Sequence, residues 1–177
     1  MKILNKAFGF LLILSISKAL FAANYQSEIG AVLDEKHVPF VLNQCSRSAP
    51  QNVTGTWKPD KNDIKTFEYQ LFPILKKAKL SKIADRFNDY RLQYFGIIVD
   101  GQRVIYINAF LFSGENAGSF YIGPAPETCT AKHISWRNCP IVACDGSAAF
   151  WGIQYFVDSG FFNFFSSNGP AFVQPDD

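Results

Sequence analysis

The chain is short of the patterns that mark the common chemistries. No apolar run reaches the roughly 20 residues that a bilayer-spanning helix needs. There are only two histidines, His37 and His133. Cys129, His133, Cys139 and Cys144 have zinc-ligand residue types, but their C-x3-H-x5-C-x4-C spacing is not a paired-knuckle pattern. Ser147 lacks the G-x-S-x-G elbow of a serine nucleophile. The loop aspartates lack EF-hand spacing, and there is no internal repeat. Charge of one sign is also missing: the 177 residues carry a net charge of only +2. These absences argue against a metal centre, a cofactor and nucleic acid, whose binding is dominated by neutralising phosphates.

The N-terminus is rich in what an export signal needs. Lys2 and Lys6 precede an apolar stretch from Ala7 to Ile16, and the segment ends in small residues around Ala19, Ala22 and Ala23. This pattern predicts a signal peptide over 1–22, cleaved after Ala22 with Ala19 as the alternative, and one α+β domain over 23–177. Loss of Lys2, Lys6 and Lys18 leaves 14 basic residues against 15 acidic, a net charge of −1. The remaining charge is uneven. Residues 58–91 hold nine Lys/Arg against five Asp/Glu, whereas 138–177 hold four aspartates and no Lys or Arg. A basic solvated helix explains the first segment, and a surface that steers a charged partner is the sharper alternative.

Four cysteines, Cys45, Cys129, Cys139 and Cys144, in an exported chain predict two disulfides. Three pairings are open. Cys129 with Cys139 would close a short loop, and Cys45 with Cys144 would tie the N-terminal segment to the C-terminal half.

Along the mature chain, Ile29–Leu33 reads as a short helix and Val38–Leu42 as extended. Residues 45–59 read as loop. Residues 61–79 form the best helix, capped by Asp60, with Ile64, Phe67, Leu71, Ile74, Leu75 and Ala78 on one face and a kink or break at Pro73. A short helix follows at 81–88. Leu92–Val99 and Arg103–Phe112 flank Asp100-Gly101, a two-residue hairpin turn that sets Phe95 opposite Tyr106 and Gln93 opposite Asn108. Both faces of this hairpin are apolar, which predicts a central position covered on both sides. Residues 113–138 read as a long loop and Pro140–Cys144 as a strand. A second hairpin, Ala148–Val157 with Phe161–Ser166, turns at Asp158-Ser159-Gly160. Nine aromatic residues crowd 148–172, and a solvent-facing part of them would mark a ligand or partner site.

The segments Trp57-x-Pro59, Ile64, Glu68, Leu71, Gln93-Tyr94-x-Gly96-Ile97, Gly101-x-Arg103-x-Ile105-Tyr106-x-Asn108-Ala109-Phe110, Cys144-Asp145-Gly146 and Phe150-Trp151-Gly152-x-x-Tyr155 resemble a family of small exported or lipid-anchored bacterial envelope proteins. The resemblance implies an envelope location and carries no activity with it. This chain lacks the lipobox cysteine of lipid-anchored members and has Val157-Asp158 where tyrosine-aspartate is the expected pair.

The expected fold is therefore α+β: one main helix, kinked by Pro73, on an antiparallel sheet of four to five strands. The element order matches a cystatin-like arrangement. The expected function is a periplasmic or secreted binding or inhibitor-type protein without catalysis, recognising an envelope protein or a glycan of the cell wall. Gln93, Arg103, Tyr106, Asn108, Trp151 and Tyr155 are its candidate contacts, since aromatic and arginine side chains dominate interface hot spots. The alternative is a small envelope hydrolase or metal-dependent protein using His133, Asp145 and the cysteines, with His37 as a second candidate base.

Overall fold

The computed structural model describes residues 27–78, 80–112, 129 and 135–169. The expected signal peptide, most of the 113–138 loop and His133 lie outside them. The elements run β1 (Gly30–Val32), α1 (Val38–Leu42), β2 (Val53–Trp57), α2 (Lys61–Lys77), α3 (Ser81–Ala84), β3 (Tyr90–Val99), β4 (Gln102–Leu111), β5 (Ser147–Phe156) and β6 (Phe161–Asn168). Single 3₁₀ turns precede α1 and β3.

The class is α+β with a mostly antiparallel sheet. Strands β3-β4-β5-β6 form an antiparallel meander, and β1 and β2 share the outer edge of β3. β1 runs parallel beside Leu92–Tyr94, and β2 runs antiparallel beside Gly96–Val99. Six strands thus join among the described residues, more than the four to five expected. The two extra ones are the short edge strands, and β2 had read as loop. Gly55 and flanking turn residues hide β2 from a local reading; its pairing partner supplies the stability.

The Asp100-Gly101 turn has positive φ at both positions, 48° and 77°, as a two-residue hairpin requires. It sets the expected register, with Phe95 opposite Tyr106 and Gln93 opposite Asn108. Alternation then separates two cores. One face of the sheet, with Leu92, Tyr94, Ile105, Ile107, Trp151 and Tyr155, packs under α2 and α3. The other, with Phe95, Ile97, Val104, Tyr106, Phe110 and Phe150, packs under α1 and residues 136–143. Much of the aromatic cluster of 148–172 is spent in this way, while Phe161 stays exposed.

Helix α2 forms where its caps and its apolar stripe agree. Asp60 Oδ1 accepts from the backbone N–H of Asn62 at 2.7 Å and of Asp63 at 2.9 Å, and Asp63 returns a carboxylate oxygen to the Asp60 N–H at 2.9 Å. Ile64, Phe67, Leu71 and Leu75 are fully buried. Each contributes about 1.5–3 kcal/mol on leaving water. Glu68, on the same side, accepts from the Tyr94 hydroxyl at 2.6 Å and from Ser27 Oγ at 3.3 Å, which fixes the helix over β1 and β3. The helix is not divided at Pro73. The carbonyl that this proline leaves unpaired, that of Tyr69, is on the exposed face where water can bond it.

The N-terminal reading is reversed. Ile29–Leu33, expected as helix, contains β1, and Val38–Leu42, expected as extended, is α1. β1 exists because the Leu92 N–H donates to Ile29 O at 2.7 Å and the Leu33 N–H to Tyr94 O at 3.1 Å, partners about 60 residues away that no local pattern reveals. Gly30 leaves room for the Tyr94 ring. α1 starts behind Asp34, which caps the preceding turn, and has Pro39 in its first turn, where proline is tolerated. Pro140–Cys144 is not a strand either.

Gly96 is in contact with β2: a Cβ there would lie 2.0 Å from the Trp57 carbonyl oxygen. Gly96→Ala should push β2 off β3 and destabilise by about 2 kcal/mol, read as a lowered urea midpoint. His37 is buried at the start of α1 with Nδ1 unpartnered. Desolvation, and then Lys36, hold its pKa below the ordinary value of about 6.5. The native imidazole therefore stays neutral where the unfolded chain takes up a proton. Stability from this source is complete above pH about 6.5 and falls as pH drops below it. Denaturation between pH 7.5 and 5 should show that slope, and His37→Asn should flatten it.

Candidate functional site

Five of the six sequence-derived contact residues are not at the surface. Gln93, Tyr106, Asn108, Trp151 and Tyr155 are all at most 2% exposed. Arg103 alone faces solvent; its Nη2 pairs with Asp158 at 2.8 Å and its guanidinium stacks over Trp57. Exposed pairs of this kind are worth little stability.

The buried amides build a network that replaces a strand. Residues 136–143 lie across the second face of the sheet without regular structure, so their backbone groups need other partners. Gln93 Nε2 donates to Trp136 O at 2.6 Å and Cys139 O at 2.7 Å, and Gln93 Oε1 accepts from the Ile141 N–H at 2.9 Å. Asn108 Nδ2 donates to Ile141 O at 2.8 Å and to Gln93 Oε1 at 3.0 Å. Asn168 Nδ2 reaches Ala143 O. Gln44 closes the far end. Its Nε2 donates to Asn108 Oδ1 at 3.0 Å; turned over, the same carboxamide instead accepts from Arg47 Nη2 and donates to Ala143 O at 3.3 Å. Opposite positions on β3 and β4 thus carry the hydrogen bonds of the covering segment. This is why Pro140–Cys144 is not a strand.

The cysteines secure the same segment. Cys45 joins Cys144 across 99 residues, and Cys129 joins Cys139 across 10. The longer link stabilises by about 5 kcal/mol in chain-entropy terms. No cysteine is free. The alternative reading, a hydrolase or metal site using the cysteines with His133 and Asp145, therefore loses its thiolates. No cluster of three potential metal ligands occurs among the described residues. Asp145 is exposed, and His37 has no thiol to activate.

One cleft, of about 210 Å³, lies between the α1 region and β2, lined by Asp34, Glu35, Val38, Trp57 and Phe95; the larger surface features lie on the helical side. Lys61, Lys65, Tyr69, Phe72 and Lys76 follow one another at helical spacing along the outer face of α2, all exposed, with Tyr69 at 86%. Lys76 Nζ lies 4.8 Å from the Phe72 ring centre, and Phe72 contacts Phe87 at 5.8 Å between ring centres. Two clefts flank α3. One, of about 480 Å³, is lined by Phe72, Lys76, Phe87 and Asp85. The other, of about 530 Å³, is lined by Lys82, Asp85, Arg86, Tyr90, Leu111 and Ser147. At the rim of the second cleft the chain passes through Gly146 and Ser147 with φ of 120° and 51°, so the Cys144-Asp145-Gly146 motif makes the bend into β5. Tyr90 donates to Ala148 O at 2.7 Å, and burial raises its pKa, keeping the phenol a neutral donor. Sequence reasoning missed this region because lysines on a helix read as a solvated face. The signal available was Tyr69 and Phe72 among them, off the apolar stripe.

Asn108→Leu should cost about 3 kcal/mol, because it strands buried acceptors and donors of the 136–143 segment. Combined with Gln93→Leu, the loss should fall short of the sum by more than about 1 kcal/mol, a coupling measured by a double-mutant cycle in urea.

No helix among the described residues is long and apolar enough to cross a membrane. No family model, no curated protein and no solved structure matches this chain.

Proposed function

We propose that this is an exported binding protein of the bacterial envelope, periplasmic or secreted, that acts without catalysis and recognises an envelope protein or a cell-wall glycan. The observation that carries this reading is the basic and aromatic face of α2 with the two clefts beside α3. Tyr69 is almost fully exposed and Phe72 partly so, though neither belongs to either core, and Lys61, Lys65 and Lys76 flank them without an ion pair among the described residues. Aromatic rings flanked by cations suit a partner that presents both an apolar face and negative charge. The two disulfides, the export signal and the family resemblance support the envelope location. The recognition role passes from Gln93, Tyr106, Asn108, Trp151 and Tyr155, which are buried, to Tyr69, Phe72, Lys76, Lys82 and Arg86; Arg103 stays at the surface on another edge.

The test is binding of the mature protein to isolated cell-wall glycan and to an envelope protein fraction, compared with a Tyr69→Ala/Phe72→Ala/Lys76→Ala variant. Removal of these side chains should weaken binding at least tenfold and leave the urea midpoint within about 0.5 kcal/mol of the parent. Equal binding by both proteins would remove the surface from consideration.

A further inference from the structure

The exposed charge of α2 is of one sign. Lys61, Lys65, Lys76 and Lys77 are exposed, and no acidic residue of the helix is. Its two carboxylates, Asp63 and Glu68, are half-buried and committed, Asp63 to the Asp60 N–H and Glu68 to Tyr94 and Ser27. Lys61, Lys65, Tyr69, Phe72 and Lys76 succeed one another three or four residues apart, which sets neighbours about 5–6 Å from each other along the helix. At the end of this row lies an open cleft of about 480 Å³, lined by Phe72 and Phe87, whose ring centres are 5.8 Å apart. Lys76, Asp85 and Asn88, all exposed, bring an ammonium, a carboxylate and an amide to the same cleft.

We propose that this row binds a linear acidic polysaccharide, a chain of sugars bearing carboxylates, with one sugar in the cleft at Phe72 and Phe87. The proposal rests on the recognition surface argued above and names its partner. The spacing of the row is close to the length of one sugar in an extended chain, so successive sugars meet successive lysines or rings. Ammonium groups with no exposed carboxylate on their own helix attract a chain charged at intervals. Rings beside an amide and a carboxylate suit a sugar, which has apolar C–H faces and a rim of hydroxyls. Asp85 separates such a chain from other anions. A flat anionic bilayer laid on the row would press its charge on that carboxylate, whereas a sugar turns hydroxyl donors to it. A folded acidic protein would draw its affinity from side chains seated in dry, well-packed pockets, and here Tyr69 stands almost fully exposed beside an open cleft.

The test is calorimetric titration of the disulfide-bonded mature protein with oligogalacturonate, a carboxylated glycan. Polyglutamate of equal charge, dextran of equal length and phosphatidylglycerol vesicles are the comparison ligands. Oligogalacturonate should bind at least tenfold more tightly than any of them, and its affinity should fall as sodium chloride is raised. Tyr69→Ala/Phe72→Ala should lower that affinity at least tenfold, to the level of polyglutamate. Lys65→Gln/Lys76→Gln should lower it as much and flatten the salt dependence. All four side chains are exposed, so both variants should keep the urea midpoint of the parent. Equal or tighter binding of polyglutamate or of the vesicles overturns the proposal, as does oligogalacturonate binding that the variants leave unchanged. Envelope protein or wall glycan captured through Tyr69, Phe72 and Lys76, while oligogalacturonate is not bound, overturns the acidic polysaccharide alone. If nothing binds through these side chains, the recognition surface falls with it.

Discussion

The structure depends on two amides facing each other across a hairpin. Gln93 on β3 and Asn108 on β4 are opposite in register, and together they bond the backbone of Trp136, Cys139 and Ile141. A sheet face covered by irregular chain would leave buried peptide groups unpaired, each at about 1–3 kcal/mol. Carboxamides solve this because each offers both donors and an acceptor at the end of a short arm. The solution is specific to register: a slip of one residue would turn both amides to the helical face and leave the second core without its cover.

The disulfides act on the same problem. Cys45–Cys144 and Cys129–Cys139 fasten the covering segment at two points, so its position is enforced covalently where a ladder of strand hydrogen bonds would otherwise do it. The Cys45 loop also carries Arg47 inward, which makes the polar layer charged as well as polar. The helical side is built on the opposite plan. α2 meets the sheet through an apolar stripe, with polar contacts from Glu68 to Tyr94 and from Gln70 to Tyr155, and most of its outer face is exposed. The amide network and the disulfides therefore gather on one face of the sheet, and the exposed basic and aromatic face of α2 lies on the other.

The division between legible and hidden features follows the range of the interactions. The capping box at Asp60, the apolar stripe of α2, the Asp100-Gly101 turn and the pairing of Phe95 with Tyr106 rest on neighbours within a few residues, so the sequence pattern is enough to find them. The same pattern could not distinguish an exposed binding amide or aromatic from a buried structural one. Gln93, Asn108, Tyr106, Trp151 and Tyr155 were attractive as contacts because of their chemistry, and that chemistry is spent inside. Burial is a property of what lies on top: α2 over Trp151 and Tyr155, and over Gln93, Tyr106 and Asn108 a segment at least 28 residues further along the chain from Asn108.

The sequence by itself determined the α+β class, the two hairpins with the register of the first, the two apolar faces of the central pair and the presence of enough cysteine for two bridges. Each is written in periodicity, turn chemistry or composition. Only the tertiary structure decided that Ile29–Leu33 becomes a strand and Val38–Leu42 a helix, that β1 and β2 divide one edge, which cysteines pair, and that 136–143 is held by side chains. These outcomes turn on hydrogen-bond partners and packing surfaces brought together from dozens of residues apart, whose energies exceed the small local preferences of a five-residue stretch.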